Sequence, residues 1–509
     1  MKNKFFITTP IYYANAKPHI GHAYTTIVAD ALTRFYRLQN RKVFFLTGMD
    51  EHGVKIQKKA EEEKKNPREF VDEISGGFKK LWKELDIEYD GFIRTTDKNH
   101  KEVVQKVLQN LFEKGAIYKG KYEGLYCAGC EQFKNKSDLI DGKCPDHGTM
   151  PEIIKEESYL LKMSEKQNEL IEKIKSDEFK IAPEKYKNEI LSFLENNKLK
   201  DISISRKNIS WGIPLPFDSE HTTYVWVDAF LNYLTGVGWN GSLPLEKGDL
   251  ERDLKNNAVD ESNILQSKKS FKSPWPPFLK GENLGFWPPD IQLIGKDILR
   301  VHATIWPIML LYLGIELPKK LFVHGHILSG GKKMSKTMEN VIGIDEMIEK
   351  FGVDGTRYLL LSAGTFGEDV DMTMERMAEK YNADLANGLG NLISRVVKLM
   401  EHGTWNMKHK TRNNEQFSKE IDKLELDKAL NYVWNIVRED NKYIEDAKPW
   451  ELAKDESKKE EFGKVIQKLV DDLSLIAELL KPFMPETAEK IKKALKIERL
   501  NEVLFKRIK

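Results

Sequence analysis

The chain begins with an apolar, β-prone run, Phe5-Phe6-Ile7, which Thr8, Thr9 and Pro10 cut short. Apolar positions then return with a new period: Ala23, Ile27, Val28, Ala31, Leu32 and Phe35 recur at helical spacing after Gly21. The pattern predicts a strand, a loop and a helix. A second strand is expected at Val43-Phe44-Phe45-Leu46-Thr47, a continuous apolar run of the kind that parallel sheets bury on both faces. Strand, crossover helix and strand open a doubly wound α/β domain, whose ligands sit at the carboxyl ends of the strands. Residues 54–120 read as helices with solvated Lys- and Glu-rich faces. Residues 150–215 read as further helix that stops by Trp211-Gly212-Ile213-Pro214-Leu215-Pro216, where two prolines forbid its continuation. The α/β pattern resumes at Thr222–Asp228, with later strands at Ile291–Ile294 and Leu321–His324. From about Thr373 the pattern is helical to the end. Leu385, Leu389, Leu392, Ile393 and Val396 form one apolar stripe and Val433, Ile436 and Val437 another, which predicts an antiparallel bundle. Residues 245–285 show no period and are rich in Lys, Asp, Asn, Ser and Pro, so they read as an inserted, mobile surface segment.

Composition narrows the classes. The 509 residues are 40% hydrophobic and 31% charged, enough for several domains with ample core. No apolar run reaches the roughly 18 residues that a membrane helix needs. Nor does Lys2 to Pro10 resemble a signal peptide. Lys+Arg 81 against Asp+Glu 79 leaves the chain near neutral, which neither requires nor excludes a nucleic-acid partner. Three cysteines argue against a disulfide-built protein and make the cytoplasm the expected compartment.

The candidate chemistry clusters at predicted element ends. His19 and His22 fall at a loop-to-helix junction, where unpaired N–H groups and the helix dipole favour phosphate. Gly21 between them lets a ligand approach the backbone. Asp50 and Glu51 end the next strand beside them; Asp50 suits either a substrate ammonium group or a helix N-cap. Far downstream, Lys333-Met334-Ser335-Lys336-Thr337 follows Gly330-Gly331 and a buried strand, so its lysines can swing over the sheet edge. Cys127-x-x-Cys130 and Cys144-x-x-His147, thirteen residues apart (131 to 143), supply four ligands at knuckle spacing for tetrahedral zinc. Four protein ligands close the site, which makes the zinc structural. Asp146 is an alternative fourth ligand. Trp226, Ala229 and Tyr233 share a helical face, as do His302 and Trp306; taken alone, such stripes are commonly core.

Together, His19–His22 and Lys333–Thr337 resemble the HIGH and KMSKS signatures of class I aminoacyl-tRNA synthetases, with threonine keeping the final hydroxyl. The whole chain outside 245–285 is similar to the methionyl-tRNA synthetase family. The resemblance rests on Ile11-Tyr12-Tyr13-Ala14-Asn15, Gly48-Met49-Asp50-Glu51-His52-Gly53, the cysteine knuckle, Trp226-Val227-Asp228-Ala229 and Gly295-Lys296-Asp297-Ile298 with His302 and Trp306. The 314 positions from His19 to Lys333 (333 minus 19) leave no room for the large editing domain of leucine, isoleucine and valine enzymes. A non-catalytic tRNA-binding paralogue would show broken signatures, and here both are intact. A cysteine-specific enzyme would place zinc among its substrate contacts, whereas these cysteines fall in an insertion.

The resemblance implies a Rossmann-type catalytic domain in two halves, 1–115 and 216–325, around a zinc-knuckle connective insertion at 116–215. A KMSKS loop and stem-contact segment follows at 326–372, then a helical anticodon-binding domain at 373–509. It implies ATP-dependent formation of methionyl-adenylate with Mg²⁺, then acyl transfer to the 3′-terminal ribose of tRNA(Met). His19, His22, Lys333 and Lys336 would be catalytic, with Tyr12, Gly21, Gly295, Asp297 and Lys336 at ATP. Methionine would meet Ile11, Tyr13, Asp50, Trp226, Ala229, Phe230, Tyr233, Ile298, His302 and Trp306; Phe230 stands where the family often has proline or leucine. Tyr13 and His302 would offer donors to the thioether. Asn391, Arg395 and Trp450 would read the anticodon. No appended dimerising domain follows the bundle in this sequence, so a monomer is expected.

Overall fold

The computed structural model describes residues 3–127, 129, 132–134, 139–145, 148–207, 209–242, 285–334, 342–401, 405, 414–497, 499–500 and 502–508, without the side chains of 132–134, 156 and 333. Phe5-Phe6-Ile7 forms the middle of β1 (Lys4–Thr8). The apolar run is unbroken because both faces are covered. Phe5 and Ile7 pack with Phe45 and Leu293, while Phe6 packs with Phe44, Leu46 and Val237. Pro10 breaks the strand, and a short β2 (Tyr12–Tyr13) follows before α1 (Ile20–Leu38) and β3 (Lys42–Asp50). The sheet is completed by β4 (Gly91–Arg94), β5 (Lys180–Ala182), β6 (Ile291–Gly295) and, after α2 (Leu299–Leu313), β7 (Lys320–His324). All seven strands pair in parallel. β3, β1, β6, β7 and β5 lie side by side in that order, and β2 and β4 each pair with β3 as well. The chain leaves β1 to lay β3 on one side and returns much later to lay β6 on the other. The direction therefore reverses between β1 and β6, where a ligand crevice opens in doubly wound sheets.

Three local expectations are corrected. Glu152–Leu161 is a strand, not helix, paired antiparallel with Ile117–Cys127 over ten registered positions. Inside the 116–215 segment, Lys180–Ala182 adds the far strand of the main sheet. The Thr222–Asp228 run is not one strand: Asp218–Thr223 belongs to a small antiparallel sheet, and Val225–Phe230 is helical. Helix α2 continues past Pro307 to Leu313.

The C-terminal helices start with α3 (Ile344–Leu361), kinked at Gly352, and include α4 (Asn391–Met400), α5 (Leu426–Ala447), α6 (Lys459–Leu480) and α7 (Pro485–Ile497). Both predicted stripes are buried, from Leu385 at 0% exposed to Ile436 at 5%. One ionic joint fastens these helices to the sheet layer. Arg357 of α3 and Asp30 of α1, both wholly buried, meet at 2.6 Å. The same guanidinium donates to the carbonyls of Leu85, Pro482 and Phe483 at 3.1, 3.1 and 2.9 Å. Asp30 also accepts from Arg34 at 2.7 Å and from the Glu88 N–H at 2.8 Å. No described helix is long and apolar enough to cross a membrane.

Removing Asp30 would strand a buried cation. Asp30→Ala is expected to lower unfolding stability by about 3–5 kcal/mol in a denaturant titration. A midpoint equal to that of the parent chain would show that the pair is not a structural joint.

Candidate functional site

The loop-to-helix junction sits where the sheet reverses. His19 is the N-cap of α1, and its Nδ1 accepts the Gly21 N–H at 3.1 Å. His22, one turn on, accepts the His19 N–H on its own Nδ1 at 3.3 Å, and the rings stack at 3.7 Å. A neutral imidazole that accepts on Nδ1 carries its hydrogen on Nε2. Both rings are thus set as Nε2–H donors. Burial, aided by the neighbouring His19, pushes the pKa of His22 well down and keeps that ring neutral. A side chain at position 21 would press on the His19 ring, 3.0 Å from Cε1, so glycine leaves this ring its place. Tyr12 lies beneath. It is 5% exposed, its hydroxyl meets Thr26 Oγ1 at 2.7 Å, and its ring lies 4.7 Å from that of His22.

An aromatic wall closes the other side. Trp226, Ala229 and Phe230 come from the helix Val225–Phe230, Tyr233 from the next turn, and His302 and Trp306 from α2. Phe230 stacks on Trp306 at 5.8 Å and meets His302 edge-on at 5.0 Å; Trp226 lies 5.7 Å from Phe230. The His302 Nδ1–H donates to the Ile298 carbonyl at 3.0 Å, and Nε2 lies 3.0 Å from the Tyr233 hydroxyl. Burial pulls His302 down to about 4, so the ring is neutral and Nε2 accepts from Tyr233. With both nitrogens engaged, His302 offers no spare N–H, in contrast to the donor expected from sequence. Half-buried Ile11 precedes β2 and half-buried Tyr13 ends it, and Asp50 ends β3 in register with Tyr13. Gly295 ends β6, and Asp297 lies exposed in the single turn that leads into α2.

The predicted lysine loop grows from the tip of β7. His324 there donates from Nδ1 to the Gly325 carbonyl at 2.8 Å, and its Nε2 lies 2.8 Å from Thr25 Oγ1 of α1. The hairpin Ile327–Ser329/Lys332–Lys333 follows, turned by Gly330 and Gly331 at φ +62° and +75°, the left-handed pair that two-residue hairpins require. Asp369 holds its base, accepting the His326 N–H at 2.8 Å and pairing with Lys296 at 2.6 Å. The backbone of Lys333 is thereby tied to the same crevice as α1; Lys336 lies outside the described residues. Sequence reasoning missed Thr25, His324 and Asp369, although the His324-Gly325-His326 run was a visible signal.

Cys127 and Cys144 are buried at 1% and 0% exposed, and Cys144 sits in a turn closed by the Gly148 N–H at 2.7 Å. Cys130, Asp146 and His147 lie outside the described residues, as does 243–284. In the bundle, Asn391 and Arg395 of α4 meet Asn441 and Glu445 of α5 at 3.4 and 2.7 Å. Arg395 lies 5.7 Å over the ring of Trp450, which is 37% exposed. These three residues share one surface.

Residues 5–150 and 135–397 match the family model for tRNA synthetases class I (M), and 398–504 match the anticodon binding domain of methionyl tRNA ligase. A methionine–tRNA ligase of Clostridium acetobutylicum is 43% identical across 98% of this chain and 74% of its own length. One from Bacillus subtilis is 38% identical across 96% and 72%. Among solved structures, a Mycobacterium tuberculosis methionyl-tRNA synthetase in complex with methionyl-adenylate superposes with a TM-score of 0.84 at 33% identity, covering 97% of this chain and 93% of that one.

The neutral His302 gives a pH signature. Its folded value lies below the unfolded one, so the unfolded chain binds the extra proton and stability is lost as pH falls from about 6.5 toward 4. His302→Gln should flatten that fall, read by urea titration at pH steps. An unchanged slope would mean that the buried ring is not held neutral.

Proposed function

The chain belongs to the class I tRNA synthetase (M) family, and from that premise we propose that it ligates L-methionine to tRNA(Met). The methionine carboxylate attacks the α-phosphate of ATP, forming methionyl-adenylate and releasing pyrophosphate. The 3′-terminal ribose of the tRNA then takes the acyl group. Mg²⁺ enters with ATP and screens its phosphates. Little proton transfer is needed in the first step, so catalysis is positioning plus stabilisation of charge growing on phosphorus. His19 and His22 act as Nε2–H donors on the α-phosphate side. Lys333 and Lys336 reach in from the hairpin, with Tyr12, Gly21, Gly295 and Asp297 around the nucleotide. The observation that carries this reading is the pair of tautomer-locked imidazoles at the sheet's reversal, across from an aromatic wall.

Methionine lies between Asp50, which takes its ammonium group, and the wall of Trp226, Ala229, Phe230, Tyr233, Ile298, His302 and Trp306, with Ile11 and Tyr13 flanking. Since His302 is engaged by Ile298 and Tyr233, it shapes the pocket and orients Tyr233. Asn391, Arg395 and Trp450 receive unstacked anticodon bases on an aromatic face with amide and guanidinium edges. The domain reading follows: 1–115 and 216–325 form the catalytic halves, 116–215 the connective insertion, 326–372 the loop-bearing segment and 373–509 the anticodon domain.

Pyrophosphate exchange across twenty amino acids should respond to methionine alone. In the same assay Lys336→Ala should slow exchange by at least about tenfold while the methionine KM barely changes. Exchange at the parental rate would refute the role of that lysine.

Cys127, Cys130, Cys144 and His147 are proposed to hold one structural zinc. Two buried thiols on a strand end and a tight turn fit a knuckle, and thiolate ligands would be costly to bury without the metal. Elemental analysis should give one zinc per chain, lost in Cys144→Ser; an unchanged zinc content in that variant excludes this ligand set.

A further inference from the structure

The helix Val225–Phe230 carries the pocket wall, yet its most unusual residue is Asp228, a carboxylate that is 1% exposed. It accepts from His52 Nδ1 at 2.6 Å on one oxygen and from His100 Nε2 at 2.8 Å on the other. Both imidazoles are themselves buried, at 4% and 0% exposed. The second nitrogen of His100 lies 2.8 Å from Thr235 Oγ1. A carboxylate can only accept, so both histidines must turn an N–H toward it. One side chain thereby ties together three stretches that are far apart in sequence. The first is the tip of β3, where His52 stands two residues past Asp50. The second is the opening turn of the helix Lys98–Glu113. The third is the pair of short helices that bears Trp226, Ala229, Phe230 and Tyr233.

Burying a carboxylate costs several kcal/mol that an apolar side chain of like size would avoid. A buried ionic contact is weak evidence of added stability. What the ion adds is directional: two charge-assisted hydrogen bonds at fixed angles set how far the helix stands from the tip of β3. Trp211 reinforces this tip, donating its indole N–H to the Glu51 carbonyl at 2.6 Å and lying edge-on to His52 at 5.7 Å. Asp228 is closed off from solvent by His52 and His100, so it does not touch a substrate.

We propose that Asp228 is a positioning residue for amino-acid selection, holding the aromatic wall at a set distance from the Asp50 carboxylate through His52 and His100. The proposal rests on the pocket assignment made above. It predicts a split in kinetic constants. Asp228→Asn presents an amide N–H to one imidazole, which keeps that bond only by moving its hydrogen to the other ring nitrogen, and both bonds lose the carboxylate's charge. The methionine KM should rise at least about tenfold while the ATP KM changes less than about twofold, because the nucleotide side does not depend on this clamp. His52→Asn keeps a donor where Nδ1 stood and should hold the methionine KM within about threefold of the parent, whereas His52→Ala should raise it as Asp228→Asn does.

Steady-state pyrophosphate exchange on the full chain, with methionine and ATP varied separately, reads all of these. Absence of methionine-dependent exchange in the parent chain would sink the pocket assignment itself. An active parent whose Asp228→Asn variant keeps its methionine KM, or raises both KM values together, overturns the proposal. If Asp228→Asn does not fold, the His52 pair decides: equal methionine KM values for His52→Ala and His52→Asn overturn it.

Discussion

The buried contact between Asp30 and Arg357 is the constraint on which the rest of the molecule depends. Helix α1 runs about 28 Å, at 1.5 Å per residue over its 19 residues, from the sheet's reversal to the bundle. It is pinned along the way at three points. Thr25 meets His324 at the tip of β7, Asp30 meets Arg357 of α3, and the Tyr36 hydroxyl donates to Asp422 at 2.8 Å. A buried ion pair adds little net stability over a well-packed apolar pair. Its contribution here is register. Three more of the guanidinium's donors go to backbone carbonyls, two of them at the α6–α7 turn, so α3 and that turn cannot slide along α1 without breaking these bonds. The helix whose first turn holds the histidine junction is thus the helix that the C-terminal bundle is fastened to.

That rigidity gives meaning to the histidine junction. A helix start has unpaired N–H groups, and here imidazoles satisfy part of that need. The cap uses the Nδ1 atoms and so sets both rings in the Nε2–H tautomer. Donors fixed in advance need no reorganisation when charge develops on a ligand, which is the source of their effect on a barrier. The hairpin opposite is built on another principle. Its base is clamped by Asp369 and Lys296, and its turn uses two left-handed glycines.

Much of this was legible in the chain. Apolar runs at 5–7 and 43–47, helical periods after Gly21 and from about 373, and the first signature placed the sheet, the bundle and the histidine junction where the sheet reverses. What escaped has physical reasons. Lys180–Ala182 is a strand only because β7 offers a free side, and three residues carry no period. Glu152–Leu161 exposes Glu152, Lys155 and Glu157, and this Lys and Glu content imitates a solvated helix. Asp228, His52 and His100 were invisible as a group because their partners lie 176 and 128 positions away. Asp30 was hidden among alanines and threonines for the same reason.

Residues that match a family's pocket by type can still be misread in their chemistry. His302 stands where a donor to a thioether was expected. Its surroundings remove that option, because Ile298 takes one nitrogen's hydrogen and Tyr233 fills the other nitrogen's lone pair. Making it a donor would require either protonation, which burial opposes, or surrender of the Tyr233 bond. On the proposed reading, discrimination therefore rests on the shape of the aromatic wall and on its polarisable contact with sulfur. Shape discriminates only if the wall cannot move. A neutral ring wedged between two hydrogen bonds on one side, and a carboxylate gripped by two imidazoles on the other, are both means of keeping an apolar wall in place with polar groups that never meet the substrate.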